Sequence, residues 1–243
     1  MEYRFAKHGD QGLAIEFCPE ISAAMTLQIA ACADALSTSK VPGIMDIIPA
    51  FCSITLRYSP LIISDDAVRT WIIQTLHQVT AAASDPTKQI MVIPVCYQPP
   101  YSLDLERISG LVNLEVNEII ERHTRPDYLI HALGFMPGFM YLGGLDRSIA
   151  APRLEQPRLK IRKGSVGIAG EQSGVYPLDS PGGWNIIGRT PLNLFDPDHT
   201  PAVPYHSGQW IRFRSISPAA FLDIQTTVDK GLYSFEWLEE GHP

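Results

Sequence analysis

Residues 134–189, which read GFMPGFMYLGGLDRSIAAPRLEQPRLKIRKGSVGIAGEQSGVYPLDSPGGWNIIGR, say most about the fold of the second half of the chain. This stretch holds 11 of the 18 glycines, and both glycine and proline destabilise a helix interior. It is not typical of a flexible linker either, because its aromatic side chains are costly to leave in water. They are Phe135, Phe139, Tyr141, Tyr176 and Trp184. The pattern predicts short strands and tight turns that line a concave surface with aromatic and cationic side chains.

Composition limits the kinds of partner. The chain has 243 residues, enough for one large or two small domains, and a net charge of −7 that argues against nucleic acid and anionic membranes. Local basic clusters can still serve a small anion. The longest apolar stretch, 128–145, is too interrupted by glycine, proline and histidine to span a membrane. Four scattered cysteines favour buried free thiols over two disulfides, and we expect a cytoplasmic protein.

Residues 1–96 are predicted to form a small α/β domain with the order ββαββαβ. Apolar residues at helical spacing predict a first helix over Glu20 to Leu36. Ser64 is predicted to cap the second helix, and Ser84-Asp85-Pro86 to end it. A final strand, Ile90–Val95, completes a mostly antiparallel sheet with both helices on one side.

Residues 97–243 are predicted to form a mainly-β barrel domain, so that the fold class is an α+β N-terminal domain followed by a barrel. Two short helices come first, one over Leu103 to Ile108 and one that Asn113 caps and that ends near His123. After Thr124 nearly everything is predicted to be strand and turn, and many short strands at close spacing favour a closed barrel. The predicted strands are Tyr128–Leu133, Leu159–Ile161, Val166–Ala169, Trp184–Gly188 and Trp210–Phe213.

The basic residues between 153 and 163 are candidates for binding an anion. Arg158, Lys160 and Arg162 would share one face of a strand, which is equally typical of a solvated edge. Arg153 and Arg158 each follow a proline whose stiff backbone would aim the side chain. These two arginines are therefore as well explained by a site as by a surface.

Other candidates have an equally plain structural interpretation. His123, at the end of a predicted helix, either stabilises the helix terminus or shuttles a proton near the barrel mouth. Trp184-Asn185 follows a Pro-Gly-Gly turn, where an indole offers a stacking face or simply fills a core. Gln172 lies in an exposed glycine-flanked loop, and Arg189 either closes the pocket or pairs with Asp179.

Several familiar signatures are absent from the sequence. It contains no phosphate-binding P-loop, no HExxH, no GxSxG and no Cys/His spacing typical of a metal site, and we expect no resident metal. The residues alone predict a glycine-lined cleft with arginines that binds a small carboxylated or phosphorylated molecule, without a complete catalytic set.

Linked motifs in a fixed order resemble those of one family. They are GIMDIIPAFCSITLRY (43–58), IPVCY (93–97), DLERIS (104–109), EIIERH (118–123), GFMPGFMYLGGL (134–145), the PR pairs (152–153 and 157–158), GSVGIAGEQSGVYP (164–177) and SPGGWNIIGRTP (180–191). The chain resembles the B subunit of bacterial 5-oxoprolinase, also known as the KipI type or the allophanate-hydrolase subunit 1 domain. The resemblance covers nearly the whole chain.

The resemblance implies a cyclophilin-like barrel and a multisubunit hydrolase that is inactive as this chain alone. The partners implied are two other subunits of the enzyme, one of the KipA type and one of the LamB/YcsF type. The implied reaction opens 5-oxo-L-proline, a carboxylated lactam, to L-glutamate with release of ADP and phosphate. The implied ATP is bound to Mg²⁺, at a site shared with or supplied by a partner subunit.

The resemblance also implies roles for the candidate residues. Arg153 and Arg158 would bind carboxylate or phosphoryl oxygens, while Gln172 and Asn185 orient the lactam. Tyr176, Trp184 and Arg189 would line the substrate pocket, and His123 would assist proton transfer. The chain departs from the family pattern at 98–101, where a Gly-rich segment is usual, and at Gln209, where the family has Asp.

Two other functions stay open on the sequence. Some family members resemble inhibitors of a sensor histidine kinase, and an apolar barrel surface would serve a kinase or the KipA-type partner equally well. The third candidate is a component of an allophanate- or urea-carboxylase-type complex. This chain has no Met-Lys biotinylation site, so any biotin would come from another chain.

Overall fold

The computed structural model describes residues 2–17, 20–79 and 87–241. The chain divides into two compact units, residues 1–86 and 87–243. The predicted boundary after residue 96 differs from this division by one strand. The strand predicted over Ile90–Val95 to complete the first domain spans Thr87–Val95 and pairs instead with strands of the second unit. The predicted helix stop at 84–86 lies outside the described residues.

The first unit is an antiparallel sheet with two helices. Its strands pair in the order β1, β2, β4, β3. Its elements are β1 (Arg4–His8), β2 (Gly12–Glu16), α1 (Ala23–Thr38), β3 (Ile44–Ala50), β4 (Ser53–Tyr58) and α2 (Asp65–Gln78).

Both helices of this unit begin at a serine that caps them. The Ser22 hydroxyl accepts from the Met25 N–H at 3.2 Å, and the Ser64 hydroxyl accepts from the Ala67 N–H at 3.3 Å. The cap at Ser64 is confirmed, whereas α1 begins three residues later than the predicted Glu20. Apolar side chains from both helices and from the sheet form one buried cluster, which includes Leu13, Ile29 and Ile72.

The second unit contains ten strands, three helices and a 3-10 turn in its described part. Its elements are β5 (Thr87–Val95), α3 (Leu105–Val112), α4 (Val116–Thr124), β6 (Asp127–Leu133), β7 (Met140–Gly143), the 3-10 turn Arg147–Ile149, β8 (Arg158–Ile161), β9 (Ser165–Ala169), β10 (Gln172–Val175), β11 (Ser180–Gly182), β12 (Asn185–Arg189), β13 (Trp210–Ser215), α5 (Pro218–Asp229) and β14 (Glu236–Gly241).

Eight of these strands form one strongly curved sheet, in the order β12, β9, β10, β7, β6, β13, β5, β14. All pairs are antiparallel except β13 with β5. The described strands do not close into the predicted barrel, because β12 and β5 share no ladder. A single bridge between Cys96, which follows β5, and Arg189 at the end of β12 has N–H···O distances of 2.9 and 3.0 Å. β8 and β11 form a separate two-stranded sheet.

The inner face of the curved sheet carries the main core, which α3 and α4 help to cover. Two helix predictions are corrected here. Asn113 ends α3 in a left-handed conformation, with φ 53°, instead of capping the next helix, which follows Glu115. The helix α5, with Pro218 in its first turn, lies in a region predicted to be strand and turn. None of the helices in the described ranges is both long and apolar enough to cross a bilayer.

Candidate functional site

Arg153 lies on a short segment that three hydrogen bonds fasten to the sheet. The Ala151 carbonyl accepts from the Gly170 N–H at 2.7 Å, and the Pro152 carbonyl accepts from Asn185 Nδ2 at 2.9 Å. The Leu154 N–H donates to the Gly183 carbonyl at 2.7 Å. The exposed Arg153 guanidinium is thereby held 6.0 Å from the centre of the Trp184 ring, at the outer limit of a cation–π contact.

Trp184 lies on the outer face of the sheet, where two glycines leave room for it. A side chain on Gly174 would meet the indole and the Phe139 ring within about 3 Å, and one on Gly167 would meet Trp184 Cβ at 3.2 Å. The indole packs in a cluster with Phe139 and Tyr176 and is only 5% exposed. Trp184 is therefore a buried part of this aromatic cluster, and Arg153 lies beside it.

Tyr176 belongs to the same cluster. Its side chain is buried, and the Trp184 backbone N–H donates to its hydroxyl. Burial raises the pKa of Tyr176 to about 12, although the nearby Arg153 and Arg158 act in the opposite direction. The predicted association of Arg153, Tyr176 and Trp184 is present in the structure.

Gln172 lies on the same outer face. It is two residues before Gly174 in β10, and alternate residues of a strand share a face. Tyr141 on β7 pairs with Gly174 and is half-buried beside the Trp184 ring. Phe135 is 63% exposed and meets the Phe139 ring edge-on. The outer face therefore combines one arginine, one amide and an aromatic surface, and we call it the Trp184 face.

Arg158 is engaged by a partner that the sequence interpretation missed. Its guanidinium makes a two-pronged bond to Asp104, with N···O distances of 2.9 and 2.7 Å. Asp104 is 4% exposed, and its carboxylate also accepts from the Ile186 N–H at 2.6 Å. This ion pair fastens β8 and the start of α3 to β12, so Arg158 is a positioning residue in this structure.

Asn185 is enclosed beneath the Trp184 face. Its amide nitrogen donates to the carbonyls of Pro152 and Ile168 at 2.9 and 3.1 Å, and its carbonyl accepts from Arg107. The side chain is fully buried with both ends bonded. Asn185 is therefore not placed to orient a lactam directly, and it holds the Arg153 segment instead.

His123 lies in the main core, so the expectation that it sits at a barrel mouth is wrong. Its exposed fraction is 0%, and its ring stacks on Phe213 with centroids 4.6 Å apart. Nδ1 lies 2.8 Å from the Tyr97 hydroxyl, and Nε2 lies 2.9 Å from the Ser173 hydroxyl. Burial lowers the pKa of His123 to about 3, and the imidazole is therefore neutral at physiological pH.

Arg189 belongs to a separate cleft. Its Nε donates to the Lys163 carbonyl at 2.8 Å, and its guanidinium lies 5.9 Å from the centre of the Phe221 ring. The predicted pairing with Asp179 is not seen, because that carboxylate binds Lys160 and the Lys163 N–H. Of the eight candidate residues, the structure brings Arg153, Gln172, Tyr176 and Trp184 together on one face.

Sequence interpretation missed Asp104 and Arg107, and it named Tyr141 only as one of the aromatic side chains of the concave surface. Asp104 binds Arg158, 54 residues further along the chain, and Arg107 binds Asn185, 78 residues further along. No local spacing in the sequence indicates these pairs. Asp104 precedes a helix in the usual capping position but makes no side-chain cap bond. Tyr141 alternates with buried residues in β7, and that alternation was the available signal.

The chain matches one family model and is similar to known proteins along most of its length. The family model described as "Carboxyltransferase domain, subdomain C and D" matches residues 3–205. The B subunit of 5-oxoprolinase from Bacillus subtilis (strain 168) is 37% identical over 227 residues, which cover 89% of this chain and 94% of that protein. The 5-oxoprolinase B subunit of Escherichia coli O157:H7 is 34% identical over 84% of this chain and 92% of its own length.

A solved structure shares the fold at low identity. The Kluyveromyces lactis urea carboxylase superposes with a TM-score of 0.76 at 16% identity, over 98% of this chain and 24% of that one. This chain thus spans about a quarter of that protein. The chain belongs to the carboxyltransferase-domain family, subdomains C and D, and within it to the relatives of the 5-oxoprolinase B subunits, so the resemblance seen in the sequence is confirmed.

Proposed function

We propose that this chain is the B-type subunit of an ATP-dependent 5-oxoprolinase, inactive alone, which opens 5-oxo-L-proline to L-glutamate. The observation that supports this most strongly is the 37% identity with a named 5-oxoprolinase B subunit along 94% of that protein's length. Two further subunits, of the KipA and LamB/YcsF types, would complete the enzyme in the cytoplasm.

The Trp184 face would hold the lactam. Hydrogen bonds hold the backbone segment that carries Arg153, while the Arg153 guanidinium is exposed. An exposed guanidinium in a fixed position can bind a carboxylate through two parallel hydrogen bonds. The Gln172 amide would donate to the lactam oxygen, and the aromatic surface would exclude water from one side of the ring. A cation and an amide on one apolar surface would complement the carboxylate and the amide group of the lactam.

The chemistry needs an activated amide. Transfer of the γ-phosphoryl group of ATP to the lactam oxygen gives ADP and converts that oxygen into a leaving group. Water then adds to the ring carbon and the C–N bond opens as the nitrogen takes a proton, which leaves the side-chain carboxyl as an acyl phosphate. A second water hydrolyses this acyl phosphate to L-glutamate and phosphate. Electrostatic stabilisation of the phosphoryl and developing oxyanion charges is what such a step requires.

The nucleotide would sit at a site shared with or supplied by a partner subunit. In the described ranges no group of three or more His, Cys, Asp or Glu side chains is arranged to hold a metal ion. Mg²⁺ in nucleotide sites is held by one or two carboxylates together with phosphates and water. A single carboxylate from this chain would be compatible with that arrangement.

Reconstitution tests the proposal. The chain is purified together with its candidate KipA-type and LamB/YcsF-type subunits, and 5-oxoproline-dependent ADP release is compared with and without it. We expect ADP and glutamate in equal amounts only in the complete mixture. Equal release without this chain would reject the role.

A variant pair tests the site. Arg153→Gln should reduce turnover about 100-fold, the effect of losing roughly 2.7 kcal/mol of transition-state binding, without changing the melting temperature. Arg147→Gln is the matched control, because that arginine is also exposed and forms an ion pair with the exposed Glu171. A full-rate Arg153→Gln complex would move the site away from the Trp184 face.

A second candidate has one observation in its favour. The family model that matches residues 3–205 is described as a carboxyltransferase domain, which favours a related amide-processing role in which the same face would take a carboxylated urea. Supplying allophanate in place of 5-oxoproline in the reconstituted mixture separates the two. Faster turnover of allophanate would favour the second candidate.

A further inference from the structure

The second unit has a cleft of about 310 Å³ that is separate from the Trp184 face. It lies between the segment after β12 and the helix α5. Its walls include Lys163, Arg189, Thr190, Asn193, Phe221 and Gln225. A volume of this size is at the lower end of the range found for small-molecule sites.

Two cations in this cleft are held side by side by backbone contacts. Arg189 Nε donates to the Lys163 carbonyl at 2.8 Å, and the Thr190 N–H donates to the Gly164 carbonyl at 2.9 Å. Gly164 has a φ of +82°, and a side chain there would lie 2.3 Å from the Thr190 carbonyl oxygen. Only glycine permits this approach, which brings the two cationic residues together.

Neither cation is neutralised in the part of the chain that the structure describes. The ion pairs of that part include none for the Lys163 side chain or for Arg189, although Asp196 and Asp229 also line the cleft. Asp196 is occupied by His199 at 2.8 Å, and Asp179 by Lys160 at 2.9 Å.

A further cation lies near Arg189. Burial lowers the pKa of Arg189, and the like charge of Arg162 lowers it further. Tyr101 and Asp179 act in the opposite direction, but neither bonds the guanidinium in the described structure. Cationic side chains that form no ion pair among the described residues remain available to bind an anion that enters the cleft.

We propose that this cleft binds a small dianionic oxyanion, namely a phosphate group. Arg189 would supply its two terminal nitrogens, and Lys163 a point charge. The Thr190 hydroxyl accepts from the Leu192 N–H at 3.2 Å, which leaves its own proton to donate. The amides of Asn193 and Gln225 offer further donors. The inference does not depend on the proposed 5-oxoprolinase function.

Calorimetric titration of the full chain with inorganic phosphate tests this site, with ATP as a second probe. We expect saturable binding that Lys163→Gln weakens about tenfold, which corresponds to about 1.4 kcal/mol of binding free energy. The Lys163 side chain makes no described hydrogen bond, whereas its backbone N–H binds Asp179, so this variant should fold normally. Arg189→Lys should also weaken binding, because it removes the two-pronged geometry.

Arg147→Gln is the control for loss of one positive charge elsewhere on this unit, and it should bind phosphate within about twofold of the parent chain. Tighter binding of ATP than of phosphate, still sensitive to Lys163→Gln, would show that the group is carried by a nucleotide. Binding of phosphate but not ATP would identify a free ion; both results support the site. Absence of saturable binding, or equal affinity in the parent chain and Lys163→Gln, would overturn it.

Discussion

The polar side chains on the two faces of the curved sheet differ in burial and in hydrogen bonding. On the inner face, Ser173 meets His123, which meets Tyr97, and each of these side chains is bonded and buried. On the outer face, one residue away in β10, Gln172 and the nearby Arg153 have no hydrogen-bonding side-chain partner among the described residues. A closed polar network stabilises a core, while unsatisfied polar groups beside aromatic rings are available to a ligand. The residue type alone does not distinguish these cases.

The largest expected effect tests the inner face. His123→Ala should lower the free energy of unfolding by about 4 kcal/mol, because it leaves a cavity beside Phe213 and strips two buried hydroxyls of a partner. Urea denaturation followed by circular dichroism measures the loss. Arg153→Gln is the outer-face control and should change stability by less than about 0.5 kcal/mol. A loss below about 1 kcal/mol for His123→Ala would mean that the network contributes little.

The next prediction tests whether Arg158 stabilises the fold or binds substrate. Asp104→Asn should cost about 2–3 kcal/mol of unfolding free energy, because it breaks a two-pronged ion pair while Arg158 remains partly buried. A double-mutant cycle with Arg158→Gln measures the coupling between the two side chains, which we expect to be about 2 kcal/mol. If Arg158→Gln leaves the free energy of unfolding unchanged but abolishes turnover in the reconstituted complex, Arg158 binds substrate, as the sequence predicted.

The sequence predicted local features well and long-range partners poorly. The Ser64 cap depends on a neighbour three residues away. The helix end at His123 was also placed correctly within α4, Val116–Thr124. The burial of that histidine depends on Ser173, 50 residues later, and nothing in the spacing shows it. For the same reason the Arg158–Asp104 pair and the open ends of the sheet escaped prediction.

A pH titration sharpens the contrast between the faces. Burial lowers the pKa of His123 to about 3 in the folded chain, whereas the unfolded chain has the ordinary value near 6.5. Between these values the unfolded state binds more protons, so His123 contributes a loss of stability of up to about 1.4 kcal/mol per pH unit as the pH falls from about 6.5 towards 3.

The measurement is the difference in unfolding free energy between the parent chain and His123→Phe at each pH. The parent should lose stability faster on acidification than this variant, which keeps a ring against Phe213 but does not titrate. His199→Gln, at an exposed histidine, should retain most of the parent's slope. Parallel pH profiles for the parent and His123→Phe would contradict a neutral buried imidazole.

The smallest effect concerns the outer face, where Phe135 combines exposure with an unfavourable backbone. Its φ is 69°, a left-handed value that costs a non-glycine residue about 1 kcal/mol, and its ring is 63% exposed. Phe135 lies in a turn that the Gly134 N–H closes onto the Phe139 carbonyl at 3.1 Å, and the exposed side of its ring would be available to a partner subunit or to the substrate. Phe135→Gly should be about 1 kcal/mol more stable than Phe135→Ala, because both lack the ring and only glycine tolerates this φ freely. Thermal denaturation compares the stability of the two variants.

Both Phe135 variants should also weaken assembly with the KipA-type partner or raise the KM for 5-oxoproline. Equal stability of the two variants would show that the loop relaxes, and unchanged assembly and kinetics would remove Phe135 from the Trp184 face as a functional residue.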